Sequence, residues 1–120
     1  MFVPVSRASK TWTNQGAGPT ESSVNDRLTV NLTTGFTNVL FRCHVSTGGV
    51  SASVKLQYST DASTWNDLTT TISLVGTGLK ASTSQAIPAG AKALIIIRLV
   101  AAGGNGTEDP VTNGVVMELS

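Results

Sequence analysis

The stretch SASVKLQY, residues 51–58, decides the fold class of this chain. Its even positions are apolar and its odd positions are polar: Ala52, Val54, Leu56 and Tyr58 alternate with Ser51, Ser53, Lys55 and Gln57. Successive side chains of a strand point to opposite faces of a sheet, so this period of two predicts a strand with one buried face.

The same alternation recurs on both sides of this stretch. In residues 37–46, one face carries Val39, Phe41, Cys43 and Val45, and the other carries Leu40, Arg42 and His44. We expect Cys43 and Val45 to face the core. Residues 27–32 and 112–119 alternate too, and no segment carries a stripe of helical period. Roughly eight strands separated by Gly-rich turns predict an all-β chain, a single antiparallel β-sandwich of jelly-roll or immunoglobulin-like topology over residues 1–120. Both topologies remain open at this point.

Composition narrows the class of partner. Only 12% of the 120 residues are charged, whereas an average soluble domain is about a quarter charged. The net charge is +1 and the basic residues are scattered singly, which argues against a nucleic-acid partner. The longest apolar stretch, residues 93–102, is about half of a membrane-spanning helix, so we expect no membrane partner.

The cysteine content and the N-terminal sequence are consistent with a protein made in the cytoplasm. Cys43 is the single cysteine, so no intramolecular disulfide forms, as expected of a protein made in a reducing compartment. Residues 1–10 have no apolar core preceding a small-residue cleavage site, and they do not resemble a signal peptide.

The N-terminal segment, residues 1–7, is predicted to lie apart from the sheet centre. Pro4 has no N–H group for a central ladder, so residues 1–5 form either an edge strand or an extended arm lying on something else. Of these two alternatives we favour the arm.

Residues 92–101 are apolar on both faces, because Leu94 and Ile96 share one face while Ile95, Ile97 and Leu99 share the other. A strand buried on both faces is typical of parallel sheets, but no crossover helix is predicted here. The second face therefore meets a loop, an arm or another subunit. We take Ile95, Ile97 and Leu99 as candidate subunit contacts.

Few residues are capable of catalysis. Cys43 and His44 are adjacent in a predicted strand and point to opposite faces, which prevents a productive thiol–base pair. Asp61 and Asp67, or Glu108 and Asp109, lack the spacing of known metal sites and are better explained as turn caps. We predict no catalytic, cofactor-binding or metal-binding residues.

The aromatic residues allow two interpretations. Trp12, Trp65 and Tyr58 either form an exposed platform on which a sugar ring stacks or pack the core of the sandwich. The core interpretation is favoured, since small sandwiches more often bury such side chains.

Residues 56–68, LQYSTDASTWNDL, resemble the YSTDGSTW hairpin of carbohydrate-binding and fibronectin-like modules and of small virion structural proteins of tailed phages. Ala62 stands where glycine is usual. The chain as a whole resembles the phage capsid decoration, or cement, proteins, which are short, poor in charge, rich in Thr, Gly and Ala, and carry an N-terminal arm.

This resemblance implies a non-enzymatic virion structural protein, made in the host cytoplasm, that binds the outer surface of an icosahedral phage head and stabilises capsomer joints. The implied partners are the major capsid protein and further copies of the chain in a homodimer or homotrimer. Residues 1–5 would add a strand to a neighbouring chain, with Phe2 as an anchor beside Val3 and Val5. The alternative is a carbohydrate-binding module that uses Trp12 or Trp65.

Overall fold

The computed structural model describes residues 1–6 and 8–120, which fold into two antiparallel sheets packed face to face. We call the sheet that holds both chain ends sheet one. It contains β1 (Phe2–Ser6), β2 (Lys10–Thr11), β5 (Asn38–Thr47), β9 (Gly78–Ala81), β10 (Gln85–Ala86) and β12 (Val111–Leu119).

Sheet two packs against sheet one. It contains β3 (Thr20–Glu21), β4 (Leu28–Asn31), β6 (Ser53–Ser59), β7 (Asn66–Asp67), β8 (Ile72–Ser73) and β11 (Leu94–Ala102). Two single 3-10 turns, Val24–Asp26 and Ala89–Ala91, join strands. Neither these turns nor any other helix in the described part of the chain has the length and apolarity needed to cross a bilayer.

The strand pairing selects the jelly-roll alternative. Short strands that pair with the same side of one neighbour count as one strand (β1 with β2, β3 with β4, β7 with β8, β9 with β10), so the twelve strands reduce to eight. In that count the first strand pairs with the eighth, the second with the seventh, the third with the sixth and the fourth with the fifth. This is the pairing of one long hairpin rolled into two sheets, the jelly roll.

The core lies between the sheets and has the predicted alternation. Val39, Phe41, Cys43 and Val45 of β5 are each at most 1% exposed, and they face Val54 and Leu56 of β6. The predicted inward faces of these two strands are therefore confirmed. Because a shift of one residue in a strand would reverse every side chain, this pattern also fixes the pairing register of the central strands.

The segment that pairs with the outer side of β5 is divided into two short strands, β9 and β10. Between the two strands, the Ser82 hydroxyl accepts a hydrogen bond from the Phe41 N–H at 3.0 Å, and the Ser82 N–H donates to the Phe41 carbonyl at 2.9 Å. A side chain thus takes the place of one ladder bond, which interrupts the strand without leaving the Phe41 N–H unpaired.

The N-terminal segment forms the edge strand and not the favoured arm. Residues 2–6 are β1, which pairs with β12 along one side; Arg7, the last residue of the predicted arm, lies outside the described residues. Val3 and Val5 pack partly buried against the core, whereas Phe2 and Pro4 are exposed on the other face. Inward apolar side chains hold this segment on its own domain.

The candidate subunit contacts in β11 are core residues. Ile95 and Ile97 are fully buried and Leu99 is 3% exposed, because this face of β11 points between the sheets. The assignment of these three residues to a partner surface is therefore wrong. On the opposite face, Leu94 is exposed and Ile96 is half-buried.

The β6–β7 hairpin is closed by Asp61, as a turn cap. Its Oδ1 accepts hydrogen bonds from the backbone N–H groups of Ser63 and Thr64, both at 2.9 Å, and from the Ser59 hydroxyl. Ala62, within this turn, has φ of 61°. This is the left-handed region that glycine occupies without a steric penalty, which explains why glycine is usual at this position of the resembled hairpin.

Glu108 is a second capping carboxylate, buried at one end of the sandwich. Its carboxylate accepts hydrogen bonds from the backbone N–H groups of Val50, Ser51 and Ala52 and from that of Asn105. Burial alone raises the pKa of Glu108, but these backbone donors outweigh it and hold the pKa at about 2. Glu108 thereby ties the loop before β6 to the loop before β12.

Replacing Ala62 with glycine should raise the free energy of unfolding by about 0.5–1 kcal/mol, because removal of left-handed strain outweighs the added freedom of the unfolded chain. Denaturant unfolding measures the change. Ala81→Gly, at an exposed strand position, is the matched control and should lower stability by about 0.5–1 kcal/mol. Equal losses in both variants would contradict the strain assigned to Ala62.

Glu108→Gln should lower the melting temperature by more than about 5 °C at pH 7, because an amide satisfies these N–H donors poorly. The folded pKa of about 2 lies below the ordinary 4.5, so the stabilisation is present above pH 4.5 and lost as the pH falls towards 2. The wild type should therefore lose more stability than the variant over this window in thermal unfolding.

The control for Glu108 is Glu118→Gln, which removes a half-exposed carboxylate from a surface ion pair. Such pairs contribute about 0–1 kcal/mol, so this variant should melt close to the wild type. If the two variants lost equal stability, or if Glu108→Gln retained the full acid sensitivity, the capping role of Glu108 would be refuted.

Candidate binding surfaces

The outer face of sheet one exposes large apolar side chains. Antiparallel register places Phe2 beside Glu118 and Leu40 in one row, and Pro4 beside Val116 and Arg42 in the next. Directly opposed residues share a face, so all of these side chains point away from the core. We call this surface the apolar face and define it by Phe2, Pro4, Leu40, Leu79, Ala81 and Val116.

Two large side chains of the apolar face are mostly exposed. Phe2 is 65% exposed and Leu79 is 87% exposed, while Leu40 and Val116 are half-buried between them. The charges in the middle of this face form one ion pair, in which Arg42 Nε donates to Glu118 Oε2 at 3.1 Å. A surface with largely exposed apolar side chains and an internally paired charge is suited to contact with another protein.

The free edge of β1 is poorly suited to adding a strand. Met1 and Leu119 exchange backbone hydrogen bonds in both directions, so by the alternation of an antiparallel ladder the polar backbone groups of Phe2 and Pro4 point away from β12. Pro4 has no N–H, and the free edge therefore lacks a donor where an added strand needs one. This geometry favours contact through the apolar face over the predicted strand addition.

The outer face of sheet two carries a polar cluster around Trp65. The guanidinium carbons of Arg27 and Arg98 lie 4.8 and 4.2 Å from the centroid of the indole ring. Register in sheet two places Gln57 directly opposite Arg98. We call Trp65, Arg27, Arg98, Glu21 and Gln57 the Trp65 cluster.

Hydrogen bonds join two pairs of residues within the Trp65 cluster. Arg27 binds both oxygens of the Glu21 carboxylate, with Nε at 2.7 Å and Nη2 at 3.0 Å. The Arg27 hydrogen bond is the largest cause that lowers the pKa of Glu21 and, conversely, Glu21 raises the pKa of Arg27. Arg98 directs Nε and Nη2 at the amide oxygen of Gln57, at 3.1 and 2.8 Å.

The two candidate sugar-stacking residues have different environments. Trp12 is 1% exposed, and its indole Nε1–H donates to Thr112 Oγ1 at 3.1 Å inside the protein. A buried ring cannot stack on a ligand, so the assignment of Trp12 to sugar binding is wrong and the core interpretation holds for this residue. Trp65 is half-buried, with the two guanidinium groups over its ring.

The residues considered for catalysis and metal binding do not form a site together. Cys43 is buried and His44 exposed, as their alternation predicted, and burial raises the pKa of the Cys43 thiol to about 11. Asp61 and Asp67 serve the hairpin separately, since Asp67 pairs with Lys55 at 2.9 Å. In residues 1–6 and 8–120 there is neither a group of three metal-ligating side chains nor an enclosed pocket.

Sequence reasoning did not find the Trp65 cluster. Arg98 was visible as the one charge inside an apolar strand, and a charge at such a position is a signal that it needs a partner. Its neighbours Glu21, Gln57 and Trp65 lie in β3, in β6 and in the hairpin before β7. Only the pairing of strands that are distant in sequence identifies them. Leu40 was visible as an apolar residue on a face shared with Arg42 and His44.

Comparison with protein-family models, with curated proteins and with solved structures found no significant match.

Proposed function

We propose that this chain is a non-enzymatic structural protein of a phage virion that binds the outer surface of an icosahedral head and stabilises capsomer joints. Its partner is the major capsid protein, and it acts as a homodimer or homotrimer. The resemblance of residues 56–68 to hairpins of virion proteins supports this role. The jelly roll, an architecture found in capsid and lectin domains, is compatible with it by analogy.

The apolar face is the observation that carries the proposal. Full burial of a Phe or Leu side chain contributes about 1.5–3 kcal/mol, and Phe2 and Leu79 are largely exposed in the free protein. The molecule measures 41 × 28 × 21 Å, so its broad side accommodates the roughly 800 Å² per partner of a standard interface. Phe2 and Leu79 are the anchors of this contact.

The charge of the apolar face also fits a repeated protein lattice. Arg42 and Glu118 neutralise each other, so this face docks without introducing an unpaired charge. Each contact is modest, but a dimer or trimer that spans a capsomer joint engages several capsid subunits at once. Linked contacts of this kind bind far more tightly than each does alone.

A carbohydrate-binding module remains the alternative function, and it now rests on Trp65. The half-buried ring lies on an outer sheet face, where binding modules place their stacking residues. The guanidinium groups of Arg27 and Arg98 occupy space over the ring that a sugar would need. For this reason the apolar face, and not Trp65, carries the preferred proposal.

The virion role predicts that the chain comigrates at high copy with particles banded from the source culture, as measured by mass spectrometry. Purified chain added to particles should cosediment with them. The double variant Phe2→Ser, Leu79→Ser should bind at least about tenfold more weakly, because it removes two apolar anchors.

The matched control is Val24→Ser, which changes a side chain of similar exposure, 64%, in the turn between β3 and β4 of sheet two. It should bind particles as the wild type does. Absence of the chain from particles refutes the virion role and directs the search to soluble glycans and Trp65 fluorescence. Undiminished binding by the double variant refutes the apolar face as the docking surface.

A further inference from the structure

Arg98 has an unusual position for a charged residue. It lies in the centre of β11, pairs across to Gln57, and its side chain is only 17% exposed. The two N–H groups that form a fork suited to a carboxylate, on Nε and Nη2, both point at the single amide oxygen of Gln57. The fork is therefore occupied by a neutral acceptor.

The carboxylates near Arg98 form shorter ion pairs with other cations. Glu21 is held by both nitrogens of the Arg27 fork, and its nearest approach to Arg98 is 3.7 Å. Asp67 pairs with Lys55 at 2.9 Å and accepts a hydrogen bond from Gln57 Nε2 at 3.1 Å. Two carboxylates thus face three cations, and Arg98 has the longest ion-pair contact of the three cations, at 3.7 Å from Glu21.

Partial burial makes this excess charge significant. Burial lowers the pKa of Arg98, Glu21 raises it, and the neighbouring Arg27 lowers it further. A cation removed from water gains most from an anion that completes its hydrogen bonds, because the attraction is stronger where water is excluded.

Trp65 carries a further hydrogen-bond donor, its indole N–H. Within the described part of the chain its indole N–H makes no hydrogen bond, whereas that of Trp12 donates to Thr112. The ring also gives the guanidinium of Arg98 a rigid apolar support at 4.2 Å. Trp and Arg in such an arrangement are the residues that most often dominate binding energy at protein interfaces.

We propose that the Trp65 cluster is a docking site for an acidic side chain of a protein partner, whose carboxylate binds the Arg98 guanidinium beside Trp65. Gln57 moves aside from the fork as the carboxylate enters. The described residues enclose no pocket, which fits a protein surface better than a small ligand. This site lies on sheet two, opposite the apolar face, and goes beyond the proposed virion function because it does not depend on particles.

The test is an NMR titration of the full chain with an end-blocked Asp-rich hexapeptide, compared with its Asn isostere. The chain has two tryptophans, so Trp12 serves as an internal control for Trp65. The acidic peptide should shift the indole N–H signal of Trp65 in a saturable manner and leave that of Trp12 in place. Equal shifts with the Asn peptide, or no shift of Trp65, would overturn the proposal.

Variants separate recognition from folding. Arg98→Gln should weaken binding of the acidic peptide tenfold or more, and Gln57→Glu should do the same because its own carboxylate fills the Arg98 fork. Arg42→Gln, on the apolar face, should bind as the wild type does. An unshifted Trp12 signal shows that each variant is folded, and unchanged peptide affinity in folded Gln57→Glu refutes the role of the fork.

Discussion

Packing of the inward side chains of the long strands is the interaction on which the rest of this structure depends. β5 and β12 of sheet one and β6 and β11 of sheet two bury one apolar face each, and every shorter strand pairs with one of these four. Because each long strand presents every second residue to the core, the remaining residues are forced outward. Packing of the core thus determines which residues form the two outer faces. It does not determine their chemical character, so the two faces can differ.

The outer faces of sheet one and sheet two carry different kinds of side chains. Sheet one leaves apolar side chains uncovered around a self-neutralised ion pair, an arrangement that gains from losing water. Sheet two gathers charges around an aromatic ring, and its Arg98 contacts a neutral amide oxygen at 2.8 Å and a carboxylate only at 3.7 Å. The two outer faces of the jelly roll therefore differ in chemistry, one being mainly apolar and the other charged and aromatic.

The ends of the sandwich are held by carboxylates acting on backbone groups. Glu108 satisfies donors in two loops, and Asp61 does the same within one turn. Loops that carry Gly and small polar residues have few apolar side chains to pack, and hydrogen bonds to a charged group stabilise them instead. The carboxylates of Glu108 and Asp61 are thus engaged in structural hydrogen bonds.

Local pattern determined much of this protein from sequence. The alternation in residues 51–58 and 37–46 sufficed to predict strands and to place Cys43 and Val45 in the core, because a period of two is a property of the strand itself. The spacing of turns predicted eight strands in a sandwich. The scattered basic residues argued against a nucleic-acid partner. The choice between an arm and an edge strand at Pro4 was beyond the same reasoning.

Only the tertiary structure decided what depends on distant residues. Jelly-roll pairing joins the first strand to the last, and no local signal specifies such a partner. The tertiary structure also showed that Ile95, Ile97 and Leu99 face the core. The two-residue period of β11 shows that both of its faces are apolar, but it does not show which face is buried. The tertiary structure also brought Arg98 beside Gln57 and Trp65, because side-chain neighbours across a sheet are set by register and not by distance along the chain.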